Sequence, residues 1–75
     1  MKAIPVDSAT LRTVGYNAER RFLQLEFQNR SVYQYFEVPA AVYSELMRAS
    51  SKGFYFNRFI RPHFNCAMVK SPSLS

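Results

Sequence analysis

The run Val32-Tyr33-Gln34-Tyr35-Phe36-Glu37-Val38-Pro39 constrains this chain more than any other stretch, because β-favouring residues fill it and a proline ends it. Pro39 closes the strand and suits the first turn of a helix, where its missing N–H costs nothing. Tyr33 and Tyr35 lie two apart, so in a strand they project from one face as an aromatic pair. Val32, Gln34, Phe36 and Val38 take the other face. With aromatics on both sides, periodicity alone does not say which is buried. Tyrosine carries a hydroxyl that seeks a partner, which makes the tyrosine face the better candidate for a partly covered surface.

The flanking segments build a layered domain around this strand. Residues 8–16 read as a first strand, with Thr10, Thr13 and Val14 as β-favouring residues; Leu11 and Val14 are three apart, which calls for a bulge or a bend. Residues 15–19 read as a turn on Gly15 and Asn17. In residues 20–28 the alternation is cleaner: Leu23, Leu25 and Phe27 face one way, Gln24 and Glu26 the other. The polar residues 28–31 close a hairpin onto the central strand.

Beyond Pro39, Val42, Leu46 and Ala49 recur at helical spacing, and Tyr43 and Met47 widen the stripe into a core-facing helix. Arg48 complements the negative pole of its dipole, and Gly53 is expected as a left-handed cap. Residues 54–61, with Phe56, Phe59 and Ile60 in register and Pro62 behind them, read as a short helix or a single turn. Residues 63–69 read as a last strand with Phe64, Cys66 and Met68 on one face. Residues 71–75 read as a disordered polar tail. The expected architecture is α+β: a small antiparallel sheet of three consecutive strands plus a C-terminal strand, packed on one helix and a short helical turn. One domain spans 6–69, with tails at 1–5 and 70–75.

A chain of 75 residues has room for one small domain, which buries only about 60% of its unfolded surface. Five tyrosines and seven phenylalanines place it among globular rather than disordered chains. Cys66 stands alone, so there is no internal disulfide and no cysteine-rich zinc site, which fits a reducing compartment. The N-terminus lacks the apolar run of a signal peptide, and no stretch approaches the roughly twenty apolar residues that cross a bilayer. The protein is read as soluble and cytoplasmic, with no membrane partner.

Charge is unevenly distributed. Residues 1–45 carry Lys2, Arg12, Arg20, Arg21 and Arg30 against Asp7, Glu19, Glu26, Glu37 and Glu45, which cancel. From Leu46 onward stand Arg48, Lys52, Arg58, Arg61 and Lys70 with no acid, so the whole excess of +5 belongs to the C-terminal part. Such an asymmetry points to an anionic partner, or else to a merely solvated basic face.

The residues in order carry a family resemblance. Asp7-Ser8-x-x-Leu11-x-x-Val14-Gly15-Tyr16, Tyr33-x-Tyr35, Val38-Pro39-x-x-Val42-Tyr43-x-x-Leu46 and Ala49-Ser50-x-x-Gly53-x-Tyr55-Phe56-Asn57-x-x-Ile60 together resemble the KTSC domain. That domain is named for its place at the C-terminus of some lysyl-tRNA synthetases and is also found as small stand-alone bacterial and phage proteins. Asn29 stands where a hairpin glycine is expected and Phe64 where a tyrosine is common. The resemblance implies a single domain over nearly the whole chain and a family for which RNA binding has been proposed.

Catalytic chemistry finds little to work with. His63 is the only histidine and reads as a structural or surface residue, and Cys66 reads as a small core residue. Glu26 and Glu37 sit in neighbouring expected strands, where facing charges are commonplace. No phosphate loop, metal-ligand spacing or Ser/His/Asp set is present, so no catalytic, cofactor or metal site is assigned. Binding fares better. Unpaired bases stack on aromatic side chains carried by a sheet, with arginine and lysine alongside for the phosphates. Tyr33 and Tyr35 are the expected stacking pair and Arg48, Lys52, Arg58 and Arg61 the basic rim. Arg58 and Arg61, three apart, are expected to share a side. Against this, the tyrosines are equally suited to a core or a subunit interface, and Asn57 reads better as a buried amide fixing the loop after Gly53 than as a ligand contact. The expected function is a small non-catalytic nucleic-acid-binding module, RNA before DNA. The alternative is a protein-interaction module that self-associates or docks on a larger enzyme.

Overall fold

Leu23 and Leu25 have no exposed surface, and the strand that carries them sits mid-way in a five-stranded sheet. The computed structural model describes residues 2–72, and the sheet comprises β1 (Ile4–Pro5), β2 (Leu11–Asn17), β3 (Phe22–Phe27), β4 (Val32–Tyr35) and β5 (Cys66–Lys70). The strands lie side by side in chain order, each antiparallel to the next.

Register decides which face is buried. Val14 and Tyr33 both lie opposite Leu25, and Tyr16 and Tyr35 both lie opposite Leu23. Residues directly across a ladder share a face, so the tyrosines of β4 stand on the leucine side. The expectation of a partly covered tyrosine face is therefore corrected at Tyr35, which faces the core and retains only 5% of its exposure, while Tyr33 on the same face is half-buried. The expected bulge is found between Leu11 and Thr13, and it turns both Leu11 and Val14 inward although they are three apart. On the opposite face Thr13 donates to Glu26 at 3.3 Å and the Gln34 amide to Gln24 at 2.9 Å, a polar ladder facing water.

Helix α1 (Ala40–Arg48) starts directly after Pro39, which occupies the cap position. Its stripe lies as its spacing predicts, with Leu46 fully buried and Val42, Tyr43 and Met47 packed against the core. The junction between β4 and α1 is fastened at Val38: its N–H donates to the Arg21 carbonyl at 2.8 Å and its carbonyl accepts the Tyr16 hydroxyl at 2.6 Å. The Tyr16 ring lies nearly parallel to that of Tyr43, 4.8 Å away, which pins the helix to β2. Glu37 and Arg21 both adopt left-handed backbone angles, φ 57°, on either side of this bond.

A second helix, α2 (Lys52–Tyr55), is capped by Ser51, whose hydroxyl accepts the Phe54 N–H at 3.3 Å. It runs on into a wide π-type segment (Phe56–Ile60), closed by the Arg61 N–H reaching the Phe56 carbonyl at 2.9 Å. Phe56 and Ile60 complete the core with Leu11, Val14, Leu23, Leu25, Tyr35, Val38 and Leu46.

Several expectations are corrected. Gly15 and Asn17 belong to β2, and the turn falls on residues 18–21, with Arg21 rather than glycine in the left-handed region. Gly53 is no left-handed cap but lies inside α2, where glycine is needed for close approach, since a Cβ there would meet Thr10 Oγ1 at 2.5 Å. The supposed N-terminal tail supplies β1, paired at Ile4 with Val14 and at Pro5 with Thr13. The last strand ends at Lys70, inside what was expected as the C-terminal tail. Residues 73–75 of that tail lie outside the described residues.

Candidate nucleic-acid interface

Between the π segment and residues of β3, β4 and β5 the side chains do not close completely, and an open cleft of about 620 Å³ remains. Its floor is aromatic. β3 contributes Phe27, β4 contributes Tyr33 and Tyr35, and the π segment contributes Phe56. These rings meet edge to face: Phe27 to Tyr33 at 5.8 Å, Phe27 to Phe56 at 5.3 Å and Tyr35 to Phe56 at 5.5 Å. The quadrupoles of such rings favour that arrangement over a face-to-face sandwich, which adds to the packing of the floor.

Polar groups ring the floor. Asn29 and Ser31 come from the β3–β4 turn, Thr10 from the loop before β2, Asn57 and Arg61 from the π segment and its end, and Cys66 from β5. Ser31 is buried, and its N–H and hydroxyl both donate to Asn29 Oδ1, at 3.0 and 2.6 Å. This fixes the Asn29 side chain and commits its oxygen, so the NH₂ end is the part left for a ligand. Arg61 is exposed and is the cation of the cleft; no carboxylate stands among the lining residues. Burial pushes the Tyr35 phenol well above the usual tyrosine range, the Cys66 thiol beside it adds to the effect, and Arg61 opposes it.

The expected site residues are thus only partly assembled. Tyr33, Tyr35 and Arg61 come together in the cleft. Tyr33 is half-buried and keeps part of its ring toward the opening, whereas Tyr35 is spent on the core and offers no stacking face. Arg58 is exposed but does not line the cleft. A π-type turn closes on the fifth residue instead of the fourth, which alters the angular spacing that would have aligned it with Arg61. Arg48 borders a shallow depression with Glu45, Ala49 and Tyr55. There Tyr55 donates to Glu45 at 3.0 Å, and burial first and this bond second raise the Tyr55 phenol. Lys52 borders a third depression and donates to the Ala49 carbonyl at 3.1 Å.

Residues outside the expected set also lie at the cleft. Asn57, expected to be buried, is exposed on the rim, and Cys66, expected in the core, is exposed on the edge strand. Phe27, Asn29 and Ser31 carried one usable signal, their position at the hairpin next to the tyrosine strand. His63 lines a different depression, with Phe36, Glu37, Phe64 and Asn65. Glu37 falls after the end of β4, so it does not face Glu26. Among the described residues no cluster of histidine, cysteine, aspartate or glutamate could hold a metal ion, and no helix is long and apolar enough to cross a membrane.

An antiparallel meander with helices on one face and an aromatic cleft at their junction defines a small α+β domain with a preformed pocket. The chain belongs to the KTSC domain family, whose model matches residues 7–64. In structure it is similar to a KTSC domain protein from Yersinia pestis, with a TM-score of 0.88 at 32% identity over 91% of this chain and 96% of that one. A Stutzerimonas stutzeri protein is 37% identical over 83% of this chain and 87% of its own length. A lysine–tRNA ligase of Nostoc punctiforme is 38% identical over 77% of this chain, a match that occupies 10% of the ligase.

Proposed function

We propose that this protein is a non-catalytic RNA-binding module of the cytoplasm, and that its cleft takes an unpaired base. The observation that carries the reading is the cleft itself: the half-buried Tyr33 ring and the Arg61 guanidinium border one opening, with no carboxylate among the lining residues. A base entering there meets a ring on one side and amide and hydroxyl groups from Asn29, Asn57 and Thr10 on the other. Arg61 stands at the rim for the phosphate or for the face of the base. Arg48, Lys52 and Arg58 contribute a positive field that draws a polyanion in without entering the cleft. The resemblance of this chain to a segment of a lysine–tRNA ligase, an enzyme that handles RNA, supports the same reading.

Anisotropy of a labelled single-stranded RNA tests it. Binding is expected to weaken steeply as salt is added, because counterions released from the phosphates drive association. Arg61→Ala is expected to reduce the salt slope by about one and to cost on the order of tenfold in affinity. No binding at low salt, or an Arg61→Ala variant that binds as well as the parent, would overturn the proposal.

A second reading rests on a different observation. All five residues of β5 are exposed and the strand forms an open sheet edge, with Met68 and Val69 more than half exposed. Such an edge accepts a strand from another protein through main-chain hydrogen bonds.

A further inference from the structure

We infer, building on the RNA-binding reading, that the ligand is two consecutive ribonucleotides and that Phe54 receives the second base. The aromatic cleft does not end at its rim. Thr10 and Asn57 line it on one side and also line a second depression of about 340 Å³, so the two hollows are neighbours on either side of a shared wall. The second hollow repeats the chemistry of the first in part, with one ring and one cation, Phe54 and Lys52. Phe54 is 62% exposed, more than the other exposed large hydrophobics of the described residues, and it lines the second hollow, where a base could reach its ring. Its place on α2 is fixed by the Ser51 hydroxyl, which accepts the Phe54 N–H, so the ring is carried on a capped turn.

The two halves differ in one respect that assigns their occupants. Asp7 lines the second hollow and offsets the charge of Lys52, so a phosphate gains little there. A carboxylate does accept hydrogen bonds from sugar hydroxyls, and the 2′-hydroxyl is the group that separates RNA from DNA. The strand therefore enters with one base on Tyr33, passes its phosphate near Arg61 and Asn57, and lays the neighbouring base on Phe54 with its ribose toward Asp7. Because Phe54 and Asp7 are both exposed and outside the core, replacing them leaves the fold in place.

Calorimetric titration with uridine monophosphate, uridylyl-uridine and the deoxy counterpart of the dinucleotide tests the assignment. The ribodinucleotide is expected to bind roughly tenfold more tightly than the mononucleotide, the worth of one stacked base. Phe54→Ala is expected to erase that gain while leaving mononucleotide binding unchanged, and Asp7→Ala to bring the ribo and deoxy dinucleotides together. A dinucleotide that binds no better than the mononucleotide, a gain that survives Phe54→Ala, or equal affinity of the parent for the ribo and deoxy forms overturns the inference and leaves the base-in-cleft reading standing. Failure of longer single-stranded RNA to bind at low salt overturns both.

Discussion

At the scale of single residues, Tyr35 has been given to the core at the cost of its ability to ionise. Its ring packs against Phe56, and its phenol, shut away from water, is held well above the ordinary value of 10.0 by burial, then by Cys66. A phenol harder to deprotonate in the folded state than in the unfolded one favours folding while it stays neutral. That contribution is complete below about pH 10, where the unfolded phenol is also neutral, and is lost as the pH climbs toward the folded value. Urea midpoints measured from pH 8 to 11 are therefore expected to fall on the alkaline side, and Tyr35→Phe is expected to flatten part of that fall. Tyr55 shifts in the same direction, so a residual alkaline slope in the variant is expected. A variant whose profile superimposes on the parent's would show that Tyr35 does not govern the alkaline limb.

At the scale of elements, the joint between the loop before β2 and helix α2 leaves no room for a side chain at residue 53, and a glycine makes it possible. A methyl group at residue 53 would stand 2.5 Å from Thr10 Oγ1 and 3.0 Å from Thr10 Cβ. Alanine gains about 1 kcal/mol over glycine in a helix interior, but overpacking of this kind costs about 1–3 kcal/mol and the threonine side chain is short and branched. Gly53→Ala is therefore expected to lower the unfolding free energy, and Thr10→Ala combined with it to recover most of the loss, as read from denaturant titration of the four-member cycle. If the Gly53→Ala change stabilises the protein, the contact is not limiting. The same joint explains what was legible in the sequence. The alternation of Leu23, Leu25 and Phe27 and the stripe of Val42, Leu46 and Met47 are local patterns, so β3 and α1 were readable. The role of Gly53 depends on a residue forty-three positions earlier, and nothing near it signals that. For the same reason local pattern does not place Tyr35 in the core: Tyr33 and Tyr35 acquire their side of the sheet from pairing with Leu25 and Leu23. The cleft was half legible. Tyr33 and Arg61 were in view, whereas the π-type widening that separates Arg58 from Arg61 leaves no mark in spacing, and Asn57 was expected inside.

At the scale of the whole molecule, the uneven charge bears on how copies meet. The excess of +5 lies wholly in the part of the chain that holds α2, the π segment and β5, so two copies joining through their β5 edges would bring like charges together, Lys70 among them. Light scattering over a wide concentration range at low salt is expected to find a monomer. A dimer that Val69→Lys dissolves would instead favour the protein-interaction reading over the RNA one. The sheet has a further consequence, because its spatial order is its chain order. β1 to β4 each meet the next strand across a short loop, whereas β5 returns to β4 only after residues 36–65, which hold both helices, so its pairing carries the largest loop-closure cost in the sheet. Since the helices lie in the chain between β4 and that closing strand, the layers are tied together within one short stretch, and relatives of that stretch make up most of a short protein in one case and a tenth of a ligase in another.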